Sequence, residues 1–158
     1  MNTVYLNKKF TDKEAASISI MDRGFLFGDS VYEVIPFFSG KAIGLEQHLA
    51  RLNNSSEMIQ LPQVHTREQW HKIISELVTA NSLKEQSFSI YIQVSRGSYN
   101  SRRHVHNQEI KPTVLAFCSP ITTFDPLKPH KAILLEDTRH GLCAVKNTNL
   151  LSNTQLKQ

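Results

Sequence analysis

Three short segments of the chain carry side chains whose types and spacing suit chemistry. The first surrounds Lys146, in Ala144-Val145-Lys146-Asn147-Thr148-Asn149-Leu150-Leu151, after a β-like run over 131–136 and before a stretch of helix formers. Most lysines are solvated and protonated. An apolar enclosure lowers the pKa of such an amine toward the neutral form that attacks carbonyl carbons. Cys143, Ala144, Val145, Leu150 and Leu151 are the neighbours that can supply the enclosure.

The second segment is Gln47-His48-Leu49-Ala50-Arg51-Leu52, where Arg51 lies off the Leu49/Leu52 face of a helical pattern. It reads either as a solvent-facing helix arginine or as a planar fork for a phosphate. The third is the loop from Ser95 to Ile110, which offers Arg96, Arg102, Arg103, His104 and His106 with Tyr99 between them. Three readings stand side by side here: a solvated surface loop, an RNA-contacting loop that pairs phosphates and stacks bases, and a clamp in which arginine grips a carboxylate while histidine adds a donor. Two ligands, His104 and His106, do not fill a tetrahedral zinc site, so no metal site is read.

The elements that position these segments follow from periodicity and turn chemistry. Thr3–Leu6 and Lys9-Phe10 predict short strands around an Asn7-Lys8 turn. Asp22-Arg23-Gly24-Phe25-Leu26-Phe27-Gly28-Asp29 predicts a compact turn entering a strand over Ser30–Phe38, and it lacks the spacing of a phosphate loop. Pro36 places that strand at an edge or a bulge, and 42–45 is its hairpin partner after the Ser39-Gly40 turn. A helix runs from Glu46 toward the stop at Pro62. A second opens on Thr66 with Gln69 three residues on, and presents Trp70, Ile73, Ile74, Leu77 and Val78 as one apolar face. Strands follow over 88–94, 113–117 and 132–135, and helix formers fill 149–158. The order implies an α+β two-layer sandwich, with helices to one side of an antiparallel or mixed sheet.

Composition narrows the classes without choosing among them. The 158 residues are 40% hydrophobic and 20% charged, a globular balance. Apolar runs are far too short for a membrane span, and the start Met1-Asn2-Thr3 lacks a signal pattern. Two cysteines fit a reducing cytoplasm better than a disulfide framework. A net charge of +4 suits nucleic acid and small anions equally.

Taken in order, several motifs resemble the class IV (fold type IV) pyridoxal-phosphate enzymes, most closely the D-amino-acid aminotransferases. They are Asp22-Arg23-Gly24, Phe27-Gly28-Asp29, Val31-Tyr32-Glu33, His48-Leu49-Ala50-Arg51-Leu52, Tyr91 to Gly97, Arg102-Arg103-His104, Lys111-Pro112, Glu136-Asp137-Thr138-Arg139 and Lys146 to Leu151. The resemblance implies pyridoxal 5′-phosphate as cofactor, carried on Lys146, which also shuttles the substrate proton, and Arg51 as the phosphate-binding residue. It implies Tyr32, Arg102 and His104 as the grip on the substrate α-carboxylate, with the last two supplied across a homodimer interface. The substrates implied are a D-alanine-like amino acid and a 2-oxo acid, with no role for nucleic acid or membrane. The Arg-x-His spacing favours this branch over branched-chain aminotransferases and aminodeoxychorismate lyases, which share fold and lysine.

The same resemblance implies domain boundaries. Residues 1–120 correspond to an N-terminal domain, and 121–158 to an interdomain segment and the start of a truncated cofactor-binding domain. The acid that pairs with the cofactor's pyridine nitrogen belongs to that second domain, so the 158 residues alone are expected to be inactive. A non-catalytic binding or dimerisation fragment is the expectation from another class.

Overall fold

The computed structural model describes residues 1–105, 110–121, 127–129, 133–134 and 143–155. Strands β1 (Thr3–Leu6) and β2 (Lys9–Asp12) form a hairpin. Its two turn residues, Asn7 and Lys8, have φ of 48° and 73°, the left-handed pair that matches the twist of a two-residue turn. A short helix α1 (Arg23–Phe27) leads to β3 (Ser30–Phe38) and the two-residue β4 (Lys41–Ala42). Helices α2 (Leu45–Met58) and α3 (Arg67–Ala80) follow, then β5 (Phe88–Ser95), β6 (Thr113–Pro120) and a terminal α4 (Leu151–Gln155).

The six strands make one sheet in the order β2-β1-β6-β5-β3-β4, with every pairing antiparallel. Because side chains alternate along a strand, Val31, Ile35 and Phe37 turn to one face with Phe88, Ile90, Ile92 and Val94. Val114, Ala116 and Cys118 continue that face, and it is covered by Leu49 and Leu52 of α2 and Trp70, Ile73, Ile74 and Leu77 of α3. The fold is therefore the expected α+β two-layer sandwich, with both long helices on one side. The other face carries Tyr32, Val34, Tyr91, Gln93 and Leu115, and both long helices leave it uncovered.

Local chemistry accounts for the boundaries. The Thr66 side chain accepts from Gln69 N (3.3 Å) while the Gln69 side chain accepts from Thr66 N (2.8 Å), closing the predicted capping box. Pro36 fits one strand from the edge, because its missing N–H falls on the side that β4 covers for only two residues.

Some expectations change. The 22–29 segment is a capped helix rather than a plain turn, since Asp22 accepts from Gly24 N at 2.8 Å and Gly28 closes the helix with φ of 65°. Pairing with β5 carries β6 on to Pro120. The strand expected over 132–135 lies largely outside the described residues, and Ile133 and Leu134 within it form no strand. Residues 156–158 of the terminal helical stretch also lie outside them.

Candidate active site

Since β4 pairs only with Phe37 and Phe38, the first half of β3 has a bare outer edge. The segment around Lys146 takes that edge. Tyr32 N donates to Lys146 O (3.0 Å), Thr148 N donates to Ser30 O (3.3 Å), and Val31 and Asn147 form an isolated antiparallel bridge. On the helix side, Lys146 N donates to Ser55 Oγ of α2 at 3.2 Å. Glycine suits position 28 beside this segment, because its φ of 65° strains any side chain and a Cβ there would also meet the Asn149 carboxamide.

The half-buried Lys146 aims its Nζ at the face of Tyr32, 4.0 Å from the ring centroid, a contact that attracts a cation to the π cloud. Its sequence neighbours do not build the apolar enclosure expected of them. Val145 is buried, but Cys143 and Ala144 are exposed and Leu151 is 72% exposed. A ring from β3 is the wall instead. Among the described residues, no carboxylate forms an ion pair with Lys146.

One residue along β3, on the opposite face, Glu33 is fully buried. Arg51 grips it with two bonds, Nε to Oε1 at 2.5 Å and Nη2 to Oε2 at 2.8 Å, and His48 Nδ1 lies 2.7 Å from Oε2. Hydrogen bonding to Glu33 raises the Arg51 pKa beyond its already high ordinary value. Arg51 is thus neither buried nor merely solvated. Its side chain is 53% exposed, with one edge committed to Glu33 and Nη1 outside those bonds. Tyr32 and Lys146 thus meet at the edge of β3, while Arg51 holds Glu33 on the other face, one helical turn from the Ser55 that binds Lys146 N.

Arg102 and His104 gather elsewhere, around Phe27 of α1. The Arg102 guanidinium lies 5.1 Å from the ring centroid, and the His104 ring meets it edge-on at 5.3 Å. Beneath them, Arg23 donates Nη1 to Arg103 O (2.6 Å) and Nη2 to His104 O (2.9 Å). Its Nε bonds Asp29 at 2.8 Å, and Arg96 holds the same carboxylate from the far side at 2.9 and 3.1 Å. Burial pushes the Asp29 carboxyl up, but the hydrogen bonds from Arg96 and Arg23 outweigh it and hold it below the usual carboxylate range. No hydrogen bond or ring contact joins Arg102 or His104 to Tyr32 or Lys146 among the described residues.

Arg23, Asp29 and Glu33 carry no role in the sequence reading of the site, and Arg96 enters it as one cation of the 95–110 loop rather than as a partner of Asp29. For Glu33 a signal existed: the alternation of Val31, Ile35 and Phe37 points it into the core, where a carboxylate needs partners. The Glu136–Arg139 motif and His106 lie outside the described residues. No three His, Cys, Asp or Glu side chains among the described residues are grouped to hold a metal, and no described helix is long and apolar enough to cross a membrane. A cavity of about 400 Å³ opens on the uncovered sheet face, lined by Tyr91, Gln93 and Leu115 and bordered by Thr148 and Leu150. Tyr91 stacks on Tyr32 at 5.6 Å, which joins this cavity to the lysine. A larger cleft of about 1030 Å³, with Lys8, His65, Tyr99 and Lys111 in its lining, involves none of the five predicted site residues.

Comparison with known proteins gives the arrangement a family. Residues 30–158 match the amino-transferase class IV family. The D-alanine aminotransferase of Staphylococcus haemolyticus is 34% identical over 160 residues, covering 100% of this chain and 56% of that protein. The Bacillus licheniformis enzyme of the same name is 33% identical, over 98% of this chain and 54% of its own. The chain thus spans little more than half the length of these relatives. Among solved structures, the branched-chain amino acid aminotransferase from Escherichia coli superposes with a TM-score of 0.70 at 17% identity, over 76% of this chain and 41% of that one. The 4-amino-4-deoxychorismate lyase from Pseudomonas aeruginosa gives 0.60 at 23% identity, over 77% and 41%. These two likenesses speak to fold, and the relatives and the family match speak to lineage. By the family match, the chain belongs to the class IV aminotransferases.

Proposed function

We propose that these residues form the part of a pyridoxal 5′-phosphate-dependent D-amino-acid aminotransferase that carries the cofactor lysine and the anion grips. The observation that carries the reading is Lys146, an amine held over Tyr32 without a carboxylate partner among the described residues, with the Arg51 fork on the facing turn of α2. The donor set fits the cofactor: an amine for its aldehyde and a guanidinium for its phosphate. Lys146 would hold the group and Arg51 would grip the phosphate, with Glu33 orienting the guanidinium. When bound, pyridoxal 5′-phosphate supplies the electron sink that loss of a substrate Cα proton requires.

The chain's own residues do the rest. The Lys146 amine takes the proton from the substrate Cα and later returns one. Tyr32, Arg102 and His104 bind the α-carboxylate, the latter two from a second copy in a homodimer. Among the described residues no contact joins them to Tyr32 or Lys146 within one copy, which supports that division. The substrates are a D-alanine-like amino acid and a 2-oxo acid, taken in turn, and the compartment is the cytoplasm. Residues 1–120 act as the N-terminal domain and 121–158 lead into the cofactor-binding one. The Arg102-x-His104 spacing supports this branch over the lyase and branched-chain branches.

The test is chemical trapping. The purified chain is titrated with pyridoxal 5′-phosphate, reduced with borohydride and mapped by peptide mass. We expect the adduct on Lys146, and an Arg51→Met variant that needs about tenfold more cofactor for half-labelling, as for one lost charge-assisted bond. Labelling spread over surface lysines and sparing Lys146 would leave a non-catalytic dimerisation module as the reading. In the same gene product, lyase turnover of aminodeoxychorismate without transamination of D-alanine would move the assignment to the lyase branch.

A further inference from the structure

Arg23 is buried, yet it spends two of its donors on main-chain carbonyls of an exposed loop rather than on its own helix. That loop needs an external hold. Arg102, Arg103, His104 and Val105 are all exposed, and among the described residues they add to the Arg23 bonds a local one, from Arg103 N to Ser101 O at 2.9 Å. Two long side chains on an unsupported loop would lose much rotamer freedom on closing over an anion.

We infer that Arg23, stapled through Asp29 to Arg96, is the positioning residue for the Arg102/His104 pair, and that Phe27 is the surface that spaces the two side chains. The Nη1 and Nη2 bonds fix the carbonyls of Arg103 and His104 as one bidentate unit. With those peptides fixed, residues 102 and 104 both reach Phe27, whose ring receives a guanidinium on its face and an imidazole at its edge. Arg96 extends the staple to α2 by donating to Ile59 O (2.6 Å) and Gln60 O (3.1 Å) just past that helix. The helix that carries Arg51 and the loop that carries Arg102 are therefore held in register by one ion cluster. The inference rests on the reading of Arg102 and His104 as carboxylate grips.

Trypsin reads the tether directly, since it cuts after Arg102 and Arg103 and its rate follows the population of opened loop. Arg23→Met should be cut there about tenfold faster than the parent, the effect of losing one to two charge-assisted bonds, with cleavage at Lys8 and Lys9 unchanged. Fluorescence of the buried Trp70 confirms that the variant is folded. If Arg23→Met does not fold, Arg23→Lys keeps the charge beside Asp29 but lacks the planar fork that spans Asp29 and both carbonyls at once, and it replaces the first variant in each assay. The second readout is the His104 ring in proton NMR. The ring current of Phe27 displaces its signals, and both Arg23→Lys and Phe27→Leu should return them toward those of a solvated histidine. Titrating pyruvate against the same signals should give a half-saturation concentration about tenfold higher in Arg23→Lys. Parental cleavage rates and an unmoved His104 signal in the Arg23 variants overturn the positioning role. A loosened loop that binds pyruvate as tightly as the parent overturns its connection to substrate. A parent protein whose His104 ignores pyruvate, while the loop does loosen in the variants, instead removes the carboxylate reading and this role with it.

Discussion

Replacing Arg51 tests the joint between core and site. In Arg51→Met the Glu33 carboxylate stays buried but loses two charge-assisted bonds, keeping only His48. Removing one partner of a buried pair costs about 3–5 kcal/mol. Here Arg51 is 53% exposed while Glu33 is fully buried, so water follows into the gap and takes over part of the work. We therefore expect a loss of about 2–3 kcal/mol. Urea unfolding is the assay, read from Trp70, the single tryptophan, which is 2% exposed in the α3 core. With a slope of about 2 kcal/mol per molar, the midpoint should fall by about 1–1.5 M. The double variant Glu33→Gln/Arg51→Met removes the stranded charge, so it should recover about 1 kcal/mol or more of that loss. On the proposed role of Arg51 as the phosphate grip, it should not recover cofactor labelling of Lys146. A single-variant cost below about 0.5 kcal/mol, or a double variant equal to the sum of the two singles, would refute the claim that Arg51 neutralises Glu33.

Two further outcomes follow from the same contacts. The Asp29 carboxyl titrates below its unfolded value of about 3.9, so it stabilises the fold at neutral pH, and this contribution is lost as pH falls below about 4 and through the folded pKa. Asp29→Asn should lower the urea midpoint at pH 7 and flatten its decline in acid, and an acid decline identical to that of the parent would show that Asp29 is not the titrating group. Gly28→Ala places a side chain at φ of 65° and against Asn149, which should cost about 1–3 kcal/mol; a midpoint shift under about 0.2 M would mean that the 146–149 segment gives way without resistance.

Much of this was legible in the chain because it depends on neighbours close in sequence. Alternation marks Ser30–Phe38, the Thr66/Gln69 pair marks the start of α3, and Asn7-Lys8 marks a turn, each by chemistry complete within a few residues. The same locality explains the errors. Helix α1 (Arg23–Phe27) is decided by a cap and a left-handed glycine rather than by an apolar period, and five residues are too few to show one.

The sequence by itself determined the inventory: an α+β chain of one lineage, with Lys146, Arg51, Tyr32, Arg102 and His104 in place. Tertiary structure decided their relations. It set Lys146 against the Tyr32 ring rather than among its apolar neighbours, turned Arg51 onto Glu33, and made Arg23 the tether of a loop some eighty residues away. These facts are absent from the local sequence because each satisfies a buried charge or an open strand edge, and the partner comes from whichever segment the sheet brings within reach.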